Sequence, residues 1–272
     1  MIRYAVGVSS NNPSTPARPA DLRQPPGTQT LARGLDVLRA VARGADDLRA
    51  VAEATGLGRS TAHRLVQLLE LYGYLRVANG RSYSLGPTLI EYGFQALHQN
   101  PLPVVARPVI EELAERVQDT VHLAIEEAGQ VLYLDKIPGS RGAEMRSRIG
   151  HRMPLTSTGI GKALILDRQD DWSRIFEAEH APSVGGDAPD PADFLKRMRE
   201  YAKAGASMDL EENEPGIRCV AAPIRDAGGA VVAAVSISAT RPFMPMQRMR
   251  ALIPVMQKAA RQVSQSLGYG GP

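Results

Sequence analysis

Arg59, Ser60, Thr61, His63, Arg64 and Gln67 crowd into one short stretch, and the apolar residues set among them, Ala62, Leu65, Val66 and Leu69, recur at i, i+3, i+4 and i+7. That spacing predicts a helix with one apolar face and one polar, cationic face. Guanidinium, imidazole and hydroxyl groups near a helix N-terminus can reach base edges and phosphates in a DNA major groove, which makes Arg59, Ser60, Thr61, His63 and Arg64 candidate DNA contacts. Just before them, Leu48, Val51 and Ala52 build a shorter helix that should stop at Thr55-Gly56, because glycine takes the left-handed conformation that ends a helix. An ordinary helical hairpin with a solvated face has the same pattern, so this stretch does not decide alone.

The residues that follow favour DNA. Gly73-Tyr74-Leu75-Arg76-Val77 and Arg81-Ser82-Tyr83-Ser84-Leu85 flank Asn79-Gly80, the strongest short signal for a β-hairpin. A wing carrying Arg76 and Arg81 beside the helix can grip flanking phosphates, raising affinity without reading sequence. Upstream, Leu31, Leu35, Leu38, Val41 and Ala42 predict an amphipathic helix ending near Gly44, which closes a three-helix core.

Elsewhere the chemistry-bearing residues are less telling. Ser157-Thr158-Gly159-Ile160-Gly161-Lys162 invites comparison with a phosphate loop, but Thr156 and Ala163 stand where that motif needs Gly and Ser or Thr. The segment still opens a helix, whose free amides and dipole favour an anion such as a carboxylate; an ordinary Ser/Thr cap is the plainer reading. Cys219, in an apolar strand, reads as inert packing rather than a nucleophile. His122 and Glu126 are four apart, yet on a strand their side chains stand too far apart for a metal pair. Asp209, Glu211, Glu212 and Glu214 form a carboxylate cluster that reads as a solvated loop. Ser236 and Ser238 alternate on one strand face, as two hydroxyls aimed into one cavity should. Nowhere do a nucleophile, a base and an orienting group converge, so no catalytic residue, metal or cofactor is expected.

Organisation supports a division of labour. With 272 residues the chain exceeds the usual single-domain size of about 100 to 200, so two domains are expected. The net charge is only +3, but residues 1 to 100 hold 11 arginines against 7 acids, while the remainder is nearly balanced. A single cysteine excludes an internal disulfide framework and a cysteine-built zinc site, and fits a reducing, cytoplasmic setting. No apolar run approaches the roughly 18 residues of a membrane span. Proline-rich residues 1–28 read as a disordered tail, 29–86 as the winged unit, 87–103 as a linker helix and 104–268 as a second domain. In that second domain strands are expected at Val121 to Glu126, Gln130 to Ile137, Glu144 to Arg148, Ile217 to Ile224 and Ala230 to Ser238. Helices are expected at Thr158 to Leu166, Trp172 to Ala178, Pro191 to Ala204 and Met244 to Leu267.

Two blocks resemble one family. LARGLDVLRAV, TGLGRSTAHRLVQLLELYGYL and YSLG are similar to the winged helix-turn-helix of IclR-type bacterial transcription regulators. RIGHRMPLTSTGIGKALI and GASMDLEENEPGIRCVAAPIRDAGGAVVAAVSISA are similar to that family's effector domain, and the blocks stand in family order. Arg225 departs from the pattern, where the family more often has an aromatic residue or histidine. The resemblance implies an α+β chain with an N-terminal winged helix-turn-helix, a linker helix and a C-terminal GAF-like effector-binding domain. It implies a ligand-responsive regulator, with operator DNA as a partner and a homodimer or homotetramer as the assembly. It also implies Met145, Gly159, Ile160, Asp209, Ile217, Cys219, Ser236 and Ser238 as effector-binding residues. With the helix opening at Thr158, these suggest a small organic acid as effector and a catabolic operon as target. The competing expectation is a constitutive DNA-binding regulator whose C-terminal domain is only structural or oligomerising.

Overall fold

The computed structural model describes residues 25–78, 82–99, 101–141, 145–180 and 189–271. The chain divides into two compact units, one up to Gln99 and the other from Asn100. The expectations for Asn79-Gly80, Arg81 and the tail up to residue 24 lie outside the described residues.

The first unit opens with α1 (Gln29–Ala42), α2 (Leu48–Thr55) and α3 (Arg59–Leu71). Asp47 caps α2 by accepting from the Ala50 amide at 2.7 Å, and Gly56 ends it with φ at +67°. These two devices fix the short turn into α3. Val37, Val41, Val51, Ala62, Leu65, Val66, Leu75 and Tyr83 make the core. Strands β1 (Leu75–Ala78) and β2 (Ser82–Leu85) pair antiparallel, with Arg76 opposite Ser84. The amide of Tyr83 donates to the carbonyl of Asp46 at 2.8 Å and ties this wing to the loop before α2. Helix α4 (Pro87–Gln99) begins where the linker helix was expected, and a second helix starts at Pro101, inside the range expected for it. At its start Gly86 comes so close to Gly73 that a Cβ would stand 2.1 Å from the Gly73 carbonyl oxygen.

The second unit begins with α5 (Pro101–Val117) and continues with β3 (Thr120–Glu127), β4 (Gln130–Ile137) and β5 (Arg152–Met153). Helices α6 (Gly159–Leu164), α7 (Trp172–Glu179) and α8 (Pro191–Ala204) follow. Strands β6 (Ser207–Leu210), β7 (Ile217–Arg225) and β8 (Val231–Thr240) precede the closing helix α9 (Met246–Ser266). The sheet runs β5-β4-β3-β8-β7-β6, antiparallel throughout. Val121, Leu123, Val220, Ile224, Val235 and Ile237 are fully buried on one face, where α5 and α9 pack. Alternation turns Asp209, Cys219, Ser236 and Ser238 to the other face, against which α6 lies.

Two sequence expectations are corrected. No strand forms over residues 145–148, and Glu144 is outside the described residues. There Lys136 takes the carbonyls of Met145 and Ser147, and the edge strand forms later, at Arg152–Met153. GASMDLEENE is no solvated loop, because Ser207–Leu210 is a buried strand paired with β7. Two of the acids after it are held by cations: Glu211 by Arg218 at 2.9 Å, and Glu212 by Arg197 at 3.1 Å and by Lys162. Polar composition hid a strand whose partner, β7, begins at Ile217 just across the turn.

Candidate functional site

Helix α3 buries Ala62, Leu65 and Val66, and this turns Arg59, Ser60, His63, Arg64 and Gln67 to solvent, with Thr61 half-buried. Arg76 is exposed on β1. Two other arginines of the unit are engaged, Arg49 with Glu53 at 2.8 Å and Arg39 with Asp36 at 3.0 Å. Among the described residues Arg59, Arg64 and Arg76 have no acidic partner, so their charge stays available to a polyanion. The cap on α2 and the glycine after it therefore serve α3, whose pose depends on the three-helix core.

In the second unit the polar residues gather beneath α6. Thr158 caps that helix, its hydroxyl accepting from the Gly161 amide at 3.0 Å. A Cβ on Gly159 would stand 2.9 Å from Cys219 Sγ and 3.2 Å from the Asp209 amide nitrogen, so only glycine lets the turn approach the sheet this closely. Cys219 faces Asp209 on β6 and Ser238 on β8 in the ladder. Ser236 stands two residues along the same face, and Ile217 two residues from Cys219. Ile160 is buried in the core cluster. Met145 is buried as well, its carbonyl held 2.7 Å from Lys136 Nζ at the β4 end of the sheet. Gly159, Asp209, Cys219, Ser236 and Ser238 are thus brought together across three strands, and Met145 lies toward the far side.

Burial dominates the electrostatics. It pushes the Asp209 carboxyl up to about 6, with Lys162 and the Glu212 amide pulling the other way. One Asp209 oxygen accepts from that amide at 2.8 Å, so the carboxyl also fixes the turn after β6. Burial pushes the Cys219 thiol up to about 12, which leaves it protonated and unreactive near neutrality. Lys162 is 1% exposed, and its ammonium donates to the Met208 carbonyl at 3.1 Å and pairs with Glu212. His122 and Glu126 do not act together: His122 Nε2 lies 2.7 Å from Ser147 Oγ, and Glu126 pairs with Arg168.

Residues 30–78 match the IclR helix-turn-helix domain, and residues 94–265 match the C-terminal domain of bacterial transcriptional regulator IclR. The chain belongs to the IclR family. It is 32% identical over 216 residues to the HTH-type transcriptional regulator KdgR of Escherichia coli (strain K12), covering 78% of this chain and 82% of that one. The crystal structure of Thermotoga maritima IclR superposes with a TM-score of 0.71 at 28% identity, over 89% of this chain and 100% of that one. An IclR homologue from Microbacterium hydrocarbonoxydans, complexed with 4-hydroxybenzoate, gives a TM-score of 0.71 at 26% identity over 88% and 98%. This IclR-family chain is therefore a DNA-binding transcriptional regulator of α+β fold, and its relatives are regulators rather than enzymes. No helix among the described residues is long and apolar enough to cross a membrane.

Sequence reasoning passed over Lys162, Tyr133, Lys136 and Ser147. Lys162 was legible only as a failed phosphate-loop residue. The others meet the polar face through strand register and a returning loop, which no local pattern announces.

Proposed function

We propose that this regulator senses a small organic acid in its second unit and transmits the binding to an operator of a catabolic operon. The observation that carries the reading is the buried row of Asp209, Cys219, Ser238 and Ser236 beneath the glycine turn at Gly159. Hydroxyls in an otherwise closed site are donors for a carboxylate. A hydroxylated acid is supported by the Microbacterium neighbour, whose ligand is 4-hydroxybenzoate. The helix end contributes less than its sequence suggests, since α6 spans 6 residues and Thr158 already occupies the Gly161 amide. Asp209 tolerates an anion nearby because its carboxyl titrates near 6, and the ligand's charge pushes it further toward the protonated form.

On the DNA side, Arg59, Ser60, Thr61, His63 and Arg64 read the groove, and Arg76 and Arg81 hold the backbone. Arg64→Ala weakens operator binding by about 1 to 3 kcal/mol with altered sequence preference if it reads a base, and alike for all sequences if it holds a phosphate. Unchanged binding refutes the assignment. The regulator works as a homodimer or homotetramer, with half-sites about 34 Å or a multiple of it apart. Leu31 with Leu35 and Ile90 with Phe94 are exposed apolar pairs at helical spacing, and a second copy of the chain covers them. A monomer in sedimentation, with and without DNA, refutes this.

To regulate, the acid binds one arrangement of the dimer more tightly than the other; a 100-fold difference supplies about 2.7 kcal/mol per site. Titrating organic acids while following melting temperature and operator binding tests the reading. Ser236→Ala with Ser238→Ala abolishes the response. If neutral compounds shift both measurements and no acid does, the effector class is wrong.

A further inference from the structure

The polar face continues beyond Ser236. His122 on β3 stands opposite Ser236 in the ladder with β8, so both side chains share the face under α6. His122 is 3% exposed, and while its Nε2 meets Ser147 Oγ, its Nδ1 has no hydrogen-bond partner among the described residues. Buried polar atoms almost always have a partner, and one left without costs stability, so a vacancy of this kind calls for a reason. Tyr133 walls the ring, with centroids 4.9 Å apart. Lys136 donates to the carbonyls of Met145 and Ser147, both at 2.7 Å, which keeps Ser147 beside the imidazole.

We propose that His122 Nδ1 recognises a second polar group of the effector, a hydroxyl lying across the sheet from the carboxylate, which sits at the β7 side near Gly159 and Ser238 with Ser236 between the two groups. The proposal rests on the effector-site reading above. Burial, with Lys136 as the second cause, lowers the His122 pKa to about 3, so the ring is neutral at any working pH. The Ser147 hydroxyl can donate or accept, so Nδ1 can be the acceptor or the N–H donor. A hydroxyl satisfies either state, whereas a second carboxylate satisfies only one. Length is constrained as well. Gly159 abuts Cys219 on β7, and β3 lies two strands further on, roughly 10 Å at about 4.8 Å per strand. A ring or a chain of several carbons spans that reach; lactate does not.

Full-length protein is titrated by melting temperature with three pairs: 4-hydroxyphenylacetate and phenylacetate, 4-hydroxybutyrate and butyrate, lactate and propionate. The hydroxylated member of a long pair binds wild type about ten-fold tighter, and the short pair shows no such preference. His122→Asn keeps a polar atom near Nδ1 and retains the preference, whereas His122→Gln keeps one near Nε2 and loses it. Equal preference in wild type and His122→Gln, or none in wild type, overturns the proposal. If acids bind and depend on Ser236 and Ser238 while residue 122 is indifferent, only the role of His122 falls. If no acid binds, the effector-site reading falls with it.

Discussion

Replacing Glu212 with Gln should damage the second unit more than replacing the buried Lys162 with Met, although both remove the same ion pair. Lys162 is 1% exposed and Glu212 20%, so the two charges differ in what water can do for them. Glu212→Gln leaves an ammonium in the core with the Met208 carbonyl as a neutral partner. Stripping one side of a buried pair costs about 3 to 5 kcal/mol. The value falls toward about 3 here, because Asp209 still attracts the ammonium and burial already lowers the Lys162 pKa, so the proton can leave. Lys162→Met keeps the apolar stem in place and leaves Glu212 its Arg197 partner at 3.1 Å, for a cost of about 1 kcal/mol from the unpaired Met208 carbonyl. The difference of about 2 kcal/mol is roughly 4–8 °C in melting temperature for a unit of this size. Trp172 is the sole tryptophan, is buried in this unit and donates to the Ile165 carbonyl at 2.8 Å, so its fluorescence follows the transition. The double variant should resemble Lys162→Met rather than the sum of the two. A Lys162→Met variant as unstable as Glu212→Gln would refute the argument from an uncompensated charge.

Three further outcomes follow from individual contacts. Asp47→Ala removes the cap on α2 and costs about 1 kcal/mol, read as a lower midpoint for the first unit in denaturant unfolding. Gly159→Ala drives a methyl into Cys219 and the strand beside it, costing about 1 to 3 kcal/mol and blocking effector response; an unchanged response would show that the turn does not border the site. The folded-state pKa of Asp209, about 6, lies above the ordinary aspartate value of 3.8, so its contribution is fully present below about pH 4 and is lost as pH rises through 6. The penalty at pH 8 approaches about 3 kcal/mol, and Asp209→Asn should gain on wild type between pH 5 and 8 in melting temperature. A gap between the two that does not change with pH would contradict the buried carboxyl.

The amphipathic periods of α1, α3 and α9, the Gly56 stop of α2, and the presence of β3, β4, β7 and β8 were all legible in the sequence, because each is a local rule acting over a few residues. So was the cationic face of α3, since burying Ala62, Leu65 and Val66 leaves Arg59, His63 and Arg64 only one direction to point. The polar face of the second unit was not legible in this way. Asp209, Cys219, Ser238, Ser236 and His122 come from four strands, and only the order β6-β7-β8-β3 and its register set them side by side. Strand order is a non-local choice, decided by which faces can be buried together, and it converts an apparent solvated acid cluster into a strand with its carboxyl inside. The protonation states at this face depend on the same packing, since they follow from the water excluded by α6 and the neighbouring strands and not from residue type.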